Sequence, residues 1–147
     1  MAKGLYTPIN VEKYLGDPRK IRFLSSWELR FMDFCDKNPN VIKWGSEEFK
    51  IPYFHPIKRS IDGKPKLCNY FPDFIVKYKN RTGDIITEVI EIKPSSQDPN
   101  RITRKKPTTY DAVQMVINQA KWTAADAFCK SHGIKFRVMT EKEMFLR

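Results

Sequence analysis

Residues 70–94 read Tyr70-Phe71-Pro72-Asp73-Phe74-Ile75-Val76-Lys77-Tyr78-Lys79-Asn80-Arg81-Thr82-Gly83-Asp84-Ile85-Ile86-Thr87-Glu88-Val89-Ile90-Glu91-Ile92-Lys93-Pro94. Two runs rich in aromatic and β-branched side chains, 71–79 and 85–93, flank the turn-forming stretch 80–84. The spacing predicts a β-hairpin that Pro94 closes. Thr82 is the midpoint of its turn. In a hairpin symmetric about that residue Asp73 stands opposite Glu91, with Cβ atoms about 4.5 to 5.5 Å apart. Alternation places Glu91 and Lys93 on one face, in a row with Val89 and Thr87.

Downstream, a loop carries Arg101, Arg104, Lys105 and Lys106. Thr108-x-x-Asp111 then has the form of a capping box opening a long helix, and Gly133 suits a left-handed stop. Ile134, Phe136 and Val138 alternate as a strand, and residues 141–146 suit a short terminal helix. Upstream, Ser25-Ser26-Trp27-Glu28 also reads as a capping box. Trp27, Phe31, Phe34 and Cys35 recur at helical spacing until Asn38-Pro39-Asn40 ends the helix. Short strands are expected over 41–44 and 47–53, split by Gly45. Residues 50–69, with Pro52, Pro56, Gly63 and Pro65, read as an irregular loop-like stretch bearing Lys58, Arg59, Lys64 and Lys66. Residues 1–22 show no periodicity and read as an extended basic N-terminal arm, packed on the domain or laid along a partner, ahead of a single domain at 23–147. The order helix, strands, helix, strand is α/β: a mixed β-sheet flanked by helices, with the strand after Gly133 returning parallel to 85–93.

The chain has 147 residues, 27 Lys+Arg against 17 Asp+Glu, and a formal charge of +10. A 41% hydrophobic and 13% aromatic content excludes a disordered basic tail. No apolar run is long enough to span a membrane, and the first residues lack the apolar core of a signal peptide, so a soluble, unexported protein without a membrane partner is expected. Cys35, Cys68 and Cys129 are scattered and only His55 and His132 accompany them, which argues against structural zinc and for free thiols. With that charge surplus, nucleic acid is the expected partner.

The chemistry concentrates at Asp73, Glu91 and Lys93. Two carboxylates meeting across a hairpin resist joint ionisation unless a cation sits between them. Mg2+ prefers carboxylate oxygens and keeps several waters, so it answers that conflict, with Mn2+ a possible substitute. A cation so held orients water and polarises a phosphodiester oxygen, and Lys93 adds positive charge where negative charge develops. As the third residue of its capping box, Glu28 serves a helix-end amide.

Pro72-Asp73, the hairpin, and Glu91-Ile92-Lys93 together resemble the PD-(D/E)XK nuclease superfamily, whose restriction-endonuclease-like fold also has a helix before and after this unit. From Tyr6-Thr7-Pro8 through Tyr14-Leu15-Gly16, Ser25-Ser26-Trp27-Glu28, Tyr70-Phe71-Pro72-Asp73-Phe74 and Lys121-Trp122 to Thr140-Glu141, the chain is similar to the head-completion nucleases of T-even-like bacteriophages. More distantly it resembles the endonuclease subunit of heteromeric transposases. The resemblance implies Mg2+-dependent DNA cleavage, a role in finishing filled heads before tail attachment, head or neck proteins as partners, and the host cytoplasm or the virion as location. It also implies a second role for Glu28, beside Asp73 and Glu91 at the metal.

Gln114, Asn118 and Lys121 form a polar stripe opposite Val113, Val116, Ala120, Ala124 and Phe128. Such a stripe is a solvated face, or it lines a groove beside the metal where Lys121 touches DNA phosphates. The basic clusters at 50–69 and 101–106 would hold DNA backbone without reading sequence. Two other readings stand: a non-catalytic DNA-binding head protein on the same fold, and a nicking or repair endonuclease unconnected with virions.

Overall fold

A computed structural model describes residues 3–93 and 108–144. In chain order its elements are β1 (Gly4–Leu5), a 3-10 turn (Val11–Lys13), β2 (Arg22–Phe23), α1 (Ser26–Lys37), β3 (Val41–Ser46), β4 (Ile51–Arg59), β5 (Pro65–Tyr70), β6 (Phe74–Lys79), β7 (Ile85–Lys93), α2 (Thr109–Ser131), β8 (Lys135–Thr140) and α3 (Glu141–Met144). The central sheet has the order β3-β6-β7-β8, with β6 antiparallel to both neighbours and β7 parallel to β8. This is the expected mixed α/β sheet, and α2 supplies the crossover.

The β6–β7 register pairs Phe74 with Ile90 and Lys79 with Ile85, so Thr82 lies at its centre. Backbone pairing begins at Phe74, not at residue 71, because Pro72 has no N–H to give the ladder. One face of the sheet buries Phe74, Val76, Ile90 and Ile92 against Met32 and Cys35 of α1 and against Tyr6, Tyr14 and Ile21. The other buries Val89 against Ala125 and Cys129 of α2 and against Ile51, Tyr53 and Tyr70.

Residues 3–22 pack on the domain. β1 pairs antiparallel with β2, Tyr14 bridges to Trp44, and both tyrosines pack their rings on the Trp44 indole with centroids 6.0 and 4.7 Å away. The anchor is Asp36, wholly buried near the end of α1. Its carboxylate accepts from the amides of Ile9 (2.8 Å) and Asn10 (2.9 Å), while Lys13 Nζ donates to the Asp36 and Asn38 carbonyls.

Residues 50–69 depart most from the sequence reading. They form a two-stranded antiparallel ribbon of β4 and β5, not an irregular loop. Ile51, Tyr53 and His55 are buried in alternation with exposed Pro52 and Phe54. The prolines are tolerated because a two-stranded ribbon leaves edge N–H positions unpaired on its outer sides. Asp62-Gly63 makes the tip, where Gly63 adopts φ +82° and Ser60 N donates to the Lys64 carbonyl at 2.8 Å. Gly45 also fails to split its strand. A Cβ there would lie 3.0 Å from that of Glu48, which folds back over β3, so close approach and not a chain break explains the glycine.

Both helix starts fold as capped. Ser25 Oγ accepts from Glu28 N at 3.2 Å, and Thr108 and Asp111 form a reciprocal box. Gly133 takes φ +69° after α2. On α2, Val116 is exposed and does not join the core; the buried line runs through Ala125 and Cys129, because the ribbon as well as the sheet packs on this helix. No helix among the described residues is long and apolar enough to cross a membrane.

Candidate active site

The site forms where the ladder between β6 and β7 ends. Beyond the Phe74–Ile90 pair, the backbone amides bond to side chains: Asp73 N donates to Glu91 Oε1 at 3.2 Å, and Ile92 N donates to Asp73 Oδ2 at 2.7 Å. The two carboxylates are thereby clamped against each other's strands, the juxtaposition expected from the symmetric turn. Lys93 Nζ lies 3.4 Å from Glu91 Oε2, an ion pair largely withdrawn from solvent.

Burial and then the neighbouring Glu91 charge hold the Asp73 carboxyl well above the usual carboxylate range, with Glu28 adding to the effect and the Ile92 amide and Lys93 opposing it. Glu28 is also raised, by burial first and then by Glu47 and Glu91, against the amide bond it accepts from Leu24 at 3.0 Å. That bond goes one residue beyond the Ser25 amide that a reciprocal box would use. Glu28 therefore serves the chain entering α1 while its charge bears on the carboxylates.

Arg22, Glu28, Ser46, Glu47, Asp73 and Phe74 line one recess of about 50 Å3. Glu47 was not singled out from the sequence. It is the described non-glycine residue with positive φ, +54°, and its amide donates to the Asp73 carbonyl at 3.0 Å. Only the doubled acid Glu47-Glu48 hints at it in the sequence, and nothing there signals the backbone conformation that sets this exposed residue at the rim of the recess. Tyr70 was missed too. Its ring is buried behind Glu91, and its hydroxyl has no hydrogen-bond partner among the described residues. Burial and the Glu91 and Asp73 charges keep that phenol protonated.

Lys121 is half-buried on α2. Its Nζ sits 5.6 Å from the centroid of the Tyr70 ring, so α2 brings a cation close behind the carboxylates. Lys58, Arg59, Lys64 and Lys66 are exposed along the β4–β5 ribbon. Arg101, Arg104, Lys105 and Lys106 lie outside the described residues. Glu88 faces away from the site, bonded to the Tyr78 hydroxyl and paired with Arg137 at 3.3 Å.

This geometry suits a hard cation at one edge. Among the described residues no three His, Cys, Asp or Glu side chains converge into a closed shell. The paired oxygens of Asp73 and Glu91, whose burial and mutual repulsion disfavour two bare negative charges there, nevertheless fit an ion that keeps most of its waters.

Comparison with known proteins agrees with this reading. The family described as TnsA-like endonuclease N-terminal matches residues 38–141. The chain belongs to that family. It is also 38% identical over 145 residues to the head completion nuclease of Enterobacteria phage T4, covering 94% of this chain and 90% of that protein. Both relationships place it among the PD-(D/E)XK nucleases. No solved structure matches it. The family match begins after α1, so it contains Asp73, Glu91, Lys93 and Lys121 but not Glu28.

Proposed function

We propose that the protein is a metal-dependent deoxyribonuclease acting in bacteriophage head completion before tail attachment. The observation that carries the reading is the Asp73–Glu91 pair, clamped by reciprocal amide bonds with Lys93 beside it, in a chain of a nuclease family. Head or neck proteins would then be its partners, by likeness to the phage T4 nuclease.

Asp73 and Glu91 would hold Mg2+, or Mn2+ in its place, and Glu28 would steady the outer side of the site. Bound there, the cation supplies an electrophile for a phosphodiester oxygen and a means of lowering the pKa of water. The remaining work belongs to the chain. Glu91 keeps Lys93 Nζ at the mouth of the site, where the ammonium faces charge developing on phosphorus. The Ile92 and Asp73 amides fix the two carboxylates before substrate arrives, so little reorganisation is needed. The basic ribbon holds backbone phosphates without reading bases.

Plasmid digestion tests this. Wild type cuts with Mg2+ and not with EDTA, and Asp73→Ala or Lys93→Ala lowers the rate by about 10²-fold or more. Cutting that survives both substitutions would place the chemistry elsewhere. For Glu28, the expected split is between activity and stability. Glu28→Ala slows cleavage by about 10- to 100-fold while costing about 1 kcal/mol or less of stability. Normal turnover with a large fall in melting temperature would leave Glu28 as a cap alone.

A further inference from the structure

A groove of about 560 Å3 runs between the β4–β5 ribbon and α2. It opens beside the candidate active site, because Lys121, which lines it, also lies over Tyr70 behind Glu91. Nothing in the hydrolytic step accounts for it.

We propose that this groove binds unpaired nucleotides of the cleaved DNA strand next to the scissile phosphate. The inference rests on the scissile phosphate being held at Asp73 and Glu91. Three observations carry it. First, the lining contains Lys58 and Lys121 and no acidic residue, and neither lysine forms an ion pair with a carboxylate among the described residues. That is a site for an anion, and a second copy of so basic a chain would be repelled. Second, the walls are mixed. Ile57 on the ribbon and Ile117 on α2 offer apolar surface to a base, while the Asn69 and Gln114 amides can meet its edges. Third, a volume of about 560 Å3 is that of a small-ligand site and takes a nucleotide.

The groove is also held in shape before binding. His55 on its floor is buried, and its Nδ1 accepts from the amides of Ile57 (3.1 Å) and Lys58 (3.0 Å). That leaves Nε2 to carry the ring proton, with Ile57 and Lys58 on the ribbon wall both pinned to one imidazole. Burial, followed by the nearby charges of Lys58, Lys121 and Lys66, favours the neutral ring. The same bonds open the ribbon, whose register shifts between Phe54 and Arg59.

The test uses the whole chain carrying Asp73→Asn, in EDTA, so that binding is read without cutting. A labelled duplex with a short single-stranded tail is compared with the same duplex made blunt, by fluorescence anisotropy. The tail is expected to tighten binding about tenfold, the order of one stacked base. Ile57→Glu and Lys58→Glu each abolish that gain, whereas Lys79→Glu, at the far end of the β6–β7 hairpin, keeps it while making the same charge change as Lys58→Glu. Equal affinity for tailed and blunt DNA overturns the proposal, as does an undiminished tail effect in both groove variants with unchanged melting curves. Because no cleavage is measured, failure here is distinct from failure of the nuclease reading, which the plasmid assay decides.

Discussion

Asp73→Asn abolishes measurable DNA cleavage and, in EDTA at neutral pH, raises the melting temperature. Losing the carboxylate that would hold the cation accounts for the first effect, and its burial for the second. Asp73 is half-buried, clamped by the Ile92 amide, and faces the Glu91 carboxylate, so its ionised form is disfavoured in the folded chain. Below the ordinary carboxyl range, near about 3.9, folded and unfolded chains are both protonated there and the substitution is neutral. As pH rises, the unfolded chain ionises first. The native state must keep its proton or bear a second buried negative charge, so wild-type stability falls until pH passes the raised folded value. Asparagine retains an oxygen for Ile92 N and escapes that penalty. A gain of about 2 kcal/mol, a few degrees for a chain of this size, is expected. Melts in EDTA across the acid-to-neutral range check it, and a variant that melts lower than wild type at neutral pH sinks the argument. Added Mg2+ should raise the wild-type melting temperature and leave the variant's unchanged.

Asp36→Ala, far from the site, is expected to be the most damaging single truncation. It removes the acceptor of two amides, Ile9 and Asn10, beside the buried path of Lys13. Orphaning those donors costs about 3 to 5 kcal/mol. The consequence spreads, because these bonds hold the segment that delivers Tyr6 and Tyr14 to the fully buried Trp44. Melting should fall by roughly 10 °C or more, with tryptophan emission shifting to the red before global unfolding. Asp36→Asn, which keeps one acceptor, should lose clearly less. A melt within a few degrees of wild type for Asp36→Ala would show that the N-terminal segment packs without its anchor.

Legibility followed the range of the interactions. The β6–β7 register could be read because a five-residue turn joins its strands, so counting from Thr82 suffices. The caps at Ser25 and Thr108 are equally local. The ribbon was misread because three prolines weigh against a strand only if its N–H groups need partners, and that depends on what lies beside it. Asp36 has no local signal at all, since its partners are 26 and 27 residues away. Lys121 fell on a stripe whose solvation depends on the ribbon that packs on α2.

The amino-acid sequence by itself determined the hairpin, its register, and with them the meeting of Asp73 and Glu91 beside Lys93. All of that follows from alternation and a short turn. Only the tertiary structure decided that Glu28 and Glu47 share a recess with Asp73, that Tyr70 backs the pair, and that Lys121 and the ribbon bound a groove leading from it. These groups come from separate elements, and their approach is set by which faces bury against the sheet, a choice made by the whole core and by no local pattern.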